Sequence, residues 1–397
     1  MSADNPGIVD AASATRNEGI DLLRGLSILL VVVHHVALRI PLKDGLLAEF
    51  VPRRVLNALA YNGYEAVFVF FVISGFLITR HSLMRWGSLA DIDVRAFYAR
   101  RFARIMPCLA LLVVVLAVLH LAGVENYVIK RDGQSLAHAI FAVSTLHLNW
   151  YEGVTGYLPG NWDVLWSLSI EEVFYLGFPL VCLVIRREDF LTVLLIVLAL
   201  SLPAARAALA SNEIWQEKAY LPGMAAIAAG VLAALVAARG PPRRNGITMA
   251  LCAIGVIGTV SVLFAEGIMW SVLGNGVMLI LTGSAACLVV ALQWRETSGG
   301  RTIPFSGWLR SLGRLSYEVY LTHMFVVFGV VAVFKYMGNL RYGFAWYVPA
   351  ILLSWLLGAV VAHGYSIPCD RALRRQLLRR SQATQQRAMA APDDAAA

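Results

Sequence analysis

Long apolar runs separated by short polar segments dominate the pattern along this chain. Ten runs approach the roughly 20 apolar residues that a membrane-spanning helix needs. They cover residues 22–40, 64–80, 105–122, 162–185, 190–208, 220–238, 247–265, 269–292, 315–334 and 345–366. The stretch 136–149 is shorter and more polar, which predicts an interfacial or re-entrant piece. The sequence therefore predicts an all-α bundle of about ten transmembrane helices.

Basic residues are spread unevenly over the polar segments. If the N-terminus is cytoplasmic and the chain crosses ten times, the inner segments hold 23 of the 33 Lys and Arg residues. Cytoplasmic loops carry such an excess, so both termini are predicted to be cytoplasmic. We expect a cytoplasmic N-terminal segment over 1–19, a membrane domain over 20–370 and a basic, partly disordered cytoplasmic tail over 371–397.

Composition excludes several classes of protein for this chain. The chain is 59% hydrophobic and 15% charged, against about 25% charged in an average soluble domain. The net charge of +8 follows from the basic loops, and no nucleic-acid module accompanies it, so no nucleic-acid partner is expected. Five Cys without a C-x-x-C pair predict buried thiols, with neither a disulfide framework nor a metal site.

The first predicted span carries Arg24 and, eleven residues later, His35. Eleven steps of about 100° return almost to the starting angle, so both side chains share one helix face. The rise of about 16 Å places Arg24 near the cytoplasmic end and His35 deep in the membrane or toward the outer leaflet. A neutral buried His can act as a general base for a hydroxyl. From the spacing alone, a His that only holds neighbouring helices together is slightly favoured.

Arginines stand at the cytoplasmic entry of the third span. Arg101 and Arg104, preceded by Arg100, project on one side of a helix, and planar guanidinium groups suit phosphate. The positive-inside bias explains most clusters of this kind equally well. Both a phosphate site and an ordinary topological signal are therefore consistent with this segment.

Two further spans contain polar groups, which are costly in lipid and often functional. Ser74 stands beside Gly75 in an aromatic run without a base in its own segment, so close helix packing is favoured over a nucleophilic role. Glu171 has Ser167 four residues before it and Tyr175 four residues after it, which gives one polar stripe. A buried Glu needs a partner, either in an interhelical ion pair or in orienting a catalytic His or Arg.

The span 315–334 carries Tyr317, Tyr320 and His323 at intervals of three on one side. By helical rise His323 lies about 12 Å into the span, a depth comparable with that of His35. The long external segment 123–161 is rich in Trp, Tyr and Asn, which is typical of a sugar-binding surface or of an interfacial aromatic belt.

Together these segments resemble the acyltransferase 3 family of integral-membrane O-acyltransferases over nearly the whole membrane region. The landmarks follow one another in order: the Arg24-to-His35 spacing, FFVISGFL at 70–77, Arg101 and Arg104 with Pro107, WSLSIEEVFY at 166–175, and SYEVYLTH at 316–323. Each motif is weak alone, but five in order at matching topological positions make a specific signal.

The resemblance implies transfer of an acyl group, usually acetyl, from cytoplasmic acyl-CoA to a hydroxyl of a glycan, glycolipid or related acceptor. It implies a bacterial cytoplasmic membrane, acyl-CoA as donor substrate, no permanently bound cofactor, and membrane lipids and a glycan or lipid-linked sugar as partners. The candidate catalytic residues are His35, Arg24 and Glu171; the candidate phosphate-binding residues are Arg100, Arg101 and Arg104; the candidate substrate-binding residues are Ser74, Trp166, Tyr175, Tyr317 and His323.

On this view His35 deprotonates the hydroxyl, which attacks the thioester directly. An acyl-enzyme intermediate on Ser74 or on a His is the alternative. A transporter of a sugar or an acyl-containing small molecule is the competing function, because ten spans with buried charges suit it too. A non-catalytic scaffold is a third possibility, but it leaves the deep histidines and the glutamates in the membrane without a role.

Overall fold

The computed structural model describes residues 16–300 and 303–390, and these residues form helices without any strand. In chain order the α-helices are α1 Glu18–Ala37, α2 Arg53–Ala60, α3 Gly63–Trp86, α4 Val94–Leu121, α5 Leu136–Ser144, α6 Leu148–Thr155, α7 Gly160–Asp163, α8 Trp166–Val184, α9 Glu188–Leu200, α10 Leu202–Ala207, α11 Glu213–Lys218, α12 Tyr220–Ala238, α13 Asn245–Phe264, α14 Glu266–Leu273, α15 Gly276–Thr297, α16 Gly307–Arg314, α17 Ser316–Met337, α18 Tyr347–Val361 and α19 Ile367–Ala390. Short 3₁₀ turns connect several of them, and a π-helical segment, Ala362–Ser366, joins α18 to α19.

Within the described residues, nine helical stretches are long and apolar enough to cross a membrane. They are Glu18–Ala37, Gly63–Trp86, Val94–Leu121, Gly160–Val184, Glu213–Ala238, Asn245–Phe264, Gly276–Thr297, Ser316–Met337 and Leu340–Arg379. The prediction of an all-α polytopic membrane bundle is thereby confirmed.

The predicted span 190–208 is the one that differs. Its residues form two helices, α9 and α10, which meet at Ser201. Pro203 stands in the first turn of α10, where its missing N–H and its ring prevent a continuous helix. With 13 residues α9 is about 20 Å long, shorter than the hydrocarbon core of about 30 Å. The broken pair packs against α12.

Two other boundaries move, and one short segment is as predicted. The predicted span 269–292 becomes α15, which starts only at Gly276, because Gly274 adopts a φ of +49° and ends α14. The segment 136–149, which was predicted not to be a span, indeed forms no membrane-length helix; it contributes to the short helices α5 and α6. The predicted tail from 371 continues as helix α19 to Ala390, and residues 391–397 lie outside the described part.

Glycines set the closest helix contacts, and these fix the centre of the bundle. A Cβ on Gly75 of α3 would lie 2.0 Å from the carbonyl oxygen of Ile227 in α12, and one on Gly230 of α12 would lie 1.9 Å from that of Val72. No larger residue fits at either position without separating the helices. The predicted close approach at Ser74–Gly75 is therefore confirmed, and it holds the Ser74 segment of α3 firmly against α12.

Candidate functional site

A cavity of about 920 Å³ opens between α1, α3, α4, α8, α17 and α19. Many of the residues that line it are arginines. Arg85, Arg100 and Arg374 lie toward one end of the bundle, which we call the basic end. The sequence-predicted residues that line the cavity are Arg24, Ser74, Arg100, Arg101, Arg104, Glu171, Tyr175 and Tyr317. Residues from five segments far apart in sequence therefore share one space.

One wall of the cavity is a hydrogen-bonded triplet. Ser74 Oγ donates to Oε1 of Glu171 at 3.0 Å, and the Tyr175 hydroxyl donates to Oε2 of the same carboxylate at 3.0 Å. The guanidinium of Arg101 lies over the ring of Tyr175, 4.4 Å from its centroid. Glu171 was predicted to orient the catalytic His or the arginines. Its hydrogen-bond partners are a serine and a tyrosine, and Arg101 lies within electrostatic reach of its carboxylate and also lines the cavity.

Arg104 is held by a carboxylate that sequence reasoning passed over. Its Nη1 lies 2.7 Å from Oε1 of Glu318, whose side chain is 1% exposed. Ser366, in the π-helical segment, donates to the same Oε1 at 2.7 Å, so α4, α17 and the segment before α19 meet at one carboxylate. Arg104 as a phosphate-binding residue stays a prediction; it lines the cavity, but the ion pair with Glu318 compensates much of its charge. A Glu inside an apolar span was itself the signal.

Arg24 also lies in the cavity wall, although its partner is neutral. Its Nη2 donates to Oγ of Ser316 at 2.7 Å, across the contact between α1 and α17. A hydroxyl orients the guanidinium without neutralising it. Arg24 therefore lies oriented in the cavity wall, with Asp21 and Glu318 within electrostatic reach.

The two predicted deep histidines meet. The ring centroids of His35 and His323 are 5.1 Å apart, which confirms that they lie at one depth. Nδ1 of the fully buried His323 lies 2.7 Å from the carbonyl oxygen of Tyr320. Because a carbonyl only accepts, Nδ1 carries the proton and Nε2 bears a lone pair. No protein group among the described residues bonds that Nε2.

The histidines do not line the cavity but lie next to it, beyond Tyr320. Tyr320 does line it, and its ring centroid is 5.8 Å from that of His323. The Tyr320 hydroxyl bonds Oγ of Ser167 at 2.7 Å and the carbonyl oxygen of Val164 at 2.8 Å. Tyr320 and His323 are three residues apart, a rise of about 4.5 Å. One hydrogen-bonded pair thus separates the cavity from the histidines.

Trp166, a predicted substrate-binding residue, lies outside the cavity lining. Its ring stacks on Tyr64 at 6.2 Å and meets the edge of Phe71 at 6.0 Å. Its carbonyl oxygen accepts from Nδ2 of Asn149. Packing between α3 and α8 therefore uses this side chain, whereas its neighbour Ser167 lines the cavity.

A second polar cluster lies at the end opposite the basic end, and the sequence did not single it out. Lys218 Nζ pairs with Oε2 of Glu152 at 3.0 Å and also with Asp163, while Nζ sits 4.4 Å from the ring centroid of Tyr157. Burial, and then the nearby charge of Asp163, raise the pKa of Glu152 to about 8 against the opposing effect of Lys218. Two carboxylates thus share one ammonium, so the cluster readily holds an extra proton.

Helices around an arginine-lined cavity, with two histidines beside it, define an integral membrane protein with a buried polar site. A family model described as an acyltransferase domain matches residues 17–364, and the chain belongs to that family. The resemblance drawn from the motifs is therefore confirmed.

Curated relatives match part of this chain. The peptidoglycan O-acetyltransferase OatA of Listeria monocytogenes is 29% identical over 213 residues, covering 51% of this chain and 29% of the relative. The O-acetyltransferase OatA of Staphylococcus aureus is 31% identical over 175 residues, covering 41% and 24% respectively. The matched regions span less than a third of these relatives. No solved structure matches the chain significantly.

Proposed function

We propose that this protein transfers an acetyl group from acetyl-CoA to a hydroxyl of a glycan or lipid-linked sugar, with His35 as general base. The observation that carries the proposal is the cavity, which runs from the arginines of the basic end to Tyr320, one helical turn short of the histidine pair. On the positive-inside rule the basic end faces the cytoplasm. The Listeria relative, named for peptidoglycan, supports a glycan acceptor and a bacterial cytoplasmic membrane.

The donor fits the cavity by charge and by shape. CoA carries phosphates at one end and its thioester at the other, and it is too polar to cross lipid. Guanidinium groups bind phosphate through paired, charge-assisted hydrogen bonds. Arg100 and Arg101 are the main phosphate contacts on this view, with Arg24 deeper. The pantetheine amides then lie along Ser74, Glu171 and Tyr175, and the thioester reaches the end at Tyr320.

The acceptor arrives from the opposite side and places its hydroxyl beside His35. His35 takes the hydroxyl proton while the oxygen attacks the thioester carbonyl carbon. The tetrahedral intermediate collapses with cleavage of the carbon–sulfur bond, and the CoA thiolate recovers the proton from His35. His323 holds its own Nδ1–H against Tyr320 and presents its Nε2 lone pair beside this reaction. For the thioester to meet the hydroxyl, the Tyr320–Ser167 pair must open.

Depth favours this direct transfer over an acyl-enzyme on Ser74. A Cβ on Gly63, at the start of α3, would lie 2.5 Å from Cγ of His34, so α3 begins at the depth of the histidines. Ser74 lies eleven residues further toward the basic end, a rise of about 16 Å. An acetyl group on Ser74 would be too far from His35 to be passed to a hydroxyl there.

Turnover of labelled acetyl-CoA tests the proposal. The wild type in lipid nanodiscs is incubated with acetyl-CoA and extracted glycans and glycolipids. We expect labelled acceptor, and a loss of at least about 100-fold in His35→Gln with CoA binding retained, as for removal of a general base. The matched control is His363→Gln, because His363 is exposed at the π-helical segment. A folded wild type that neither binds nor consumes acyl-CoA would contradict the proposal and favour transport.

A further inference from the structure

The mouth of the cavity holds three arginines from three different helices. Arg85 stands in the last turn of α3, Arg100 in the second turn of α4, and Arg374 in α19, which packs against α4. All three line the cavity. For phosphate binding the motif resemblance points to the arginines of α4, so the arginines of α3 and α19 are additional to it.

The carboxylates near these arginines compensate only part of their charge. Arg374 Nε bonds Oδ1 of Asp370 at 2.6 Å. Arg100 lies within electrostatic reach of Arg85, Arg374, Asp370 and Asp93, but Asp93 already caps α4 by accepting from the N–H of Ala96. Nε of Arg100 is buried and has no partner among the described residues. Like charges held together repel, and a bound anion relieves that repulsion.

Two aromatic side chains stand beside the arginines. Trp86 and Phe97 both line the cavity, with ring centroids 6.4 Å apart. The half-buried Trp86 ring belongs to the final turn of α3, next to Arg85. A flat aromatic face beside clustered guanidinium groups suits a nucleotide, since a base stacks on the ring and its phosphate meets the arginines.

We propose that Arg85, Arg100 and Arg374 bind the 3′-phosphate of CoA and that Trp86 stacks on its adenine. This inference rests on the proposed function, in which acetyl-CoA is the donor. The 3′-phosphate lies at the end of CoA farthest from the thioester. With the thioester near Tyr320, that phosphate falls at the mouth, while Arg101 and Arg24 remain for the pyrophosphate. The donor is thereby fixed at both ends of the cavity.

The decisive comparison is between CoA and 3′-dephospho-CoA, with binding measured by calorimetry in nanodiscs of neutral lipid. The wild type is expected to bind CoA at least about tenfold more tightly, as for loss of a charge-assisted contact. Arg85→Gln and Arg374→Gln reduce that ratio toward one while leaving the affinity for 3′-dephospho-CoA within about twofold. Trp86→Leu weakens both ligands equally. The control is Arg375→Gln, because Arg375 is exposed and outside the cavity.

Anionic lipid headgroups also carry a phosphate, so a second experiment distinguishes lipid binding from CoA binding at these arginines. Retention of labelled phosphatidylglycerol is measured for the same variants in mixed-lipid nanodiscs. If the wild type binds both CoA forms equally, and Arg374→Gln loses only the labelled lipid, the inference is overturned while the acetyl-CoA donor stands. If the folded wild type binds neither CoA form, the proposed function fails and the inference with it. Gel filtration and thermal melting confirm that each variant is folded.

Discussion

Glu318→Gln removes the charge that faces Arg104 at 2.7 Å and keeps the shape of the side chain. Losing one partner of a fully buried ion pair costs about 3–5 kcal/mol, whereas a fully exposed pair is worth at most about 1 kcal/mol. The Glu318 side chain is 1% exposed, but that of Arg104 is 28% exposed on the cavity side. Water in the cavity therefore hydrates the unpaired guanidinium, and we expect a loss of about 2–3 kcal/mol.

A double-mutant cycle tests this prediction. The free energy of unfolding of each variant is measured by titration with a denaturing detergent. Arg104→Met and Glu318→Leu are made singly and together. Because the double variant leaves no buried charge, we expect it to be more stable than Glu318→Leu alone, with a coupling energy of at least about 1.5 kcal/mol. A loss below about 1 kcal/mol for Glu318→Gln, or strictly additive effects in the cycle, would refute the reasoning.

Three other predictions follow from single contacts. Gly75→Ala should lower the free energy of unfolding by at least about 2 kcal/mol in the same titration, because the new Cβ would lie 2.0 Å from a backbone oxygen. Gly329→Ala is the control, because its Cβ would meet open space. Ser74→Ala removes the hydrogen bond that Ser74 donates to Glu171 in the cavity wall, so it should raise the KM for acetyl-CoA about fivefold while transfer continues. Complete loss of transfer would instead support an acyl-enzyme on Ser74. The raised pKa of Glu152 means that its stabilising contribution is complete below the unfolded value of about 4.3 and is lost as pH rises through about 8. Wild-type stability should therefore fall relative to Glu152→Gln between pH 5 and 8, and parallel curves would contradict the assignment.

Much of the fold could be predicted because lipid imposes a simple rule on sequence. A span must be apolar over its length, so nine of the ten predicted runs correspond to membrane-length helical stretches. The tenth failed at Pro203, because hydropathy averages over a window and does not register a missing N–H donor. Gly274 likewise ended a helix inside an apolar run through its backbone conformation.

The candidate site could be predicted only as far as helical geometry reaches. Depth along a helix follows from residue number, so the comparable depth of His35 and His323 could be predicted, but the contact between their rings could not. Which face of one helix meets which face of another depends on packing across the bundle. Trp166 therefore turned toward α3 instead of the cavity, and the partner of Arg104, Glu318 on α17, could not be assigned from spacing.

The most direct test of the account is a cryo-electron microscopy structure of the full chain with a non-hydrolysable acetyl-CoA analogue. The account predicts density along the whole cavity, with the adenosine 3′-phosphate at Arg85, Arg100 and Arg374 and the acetyl carbonyl beyond Tyr320, within reach of His35. An analogue bound with its acetyl end at the basic end, or bound only outside the cavity, would contradict the central claim.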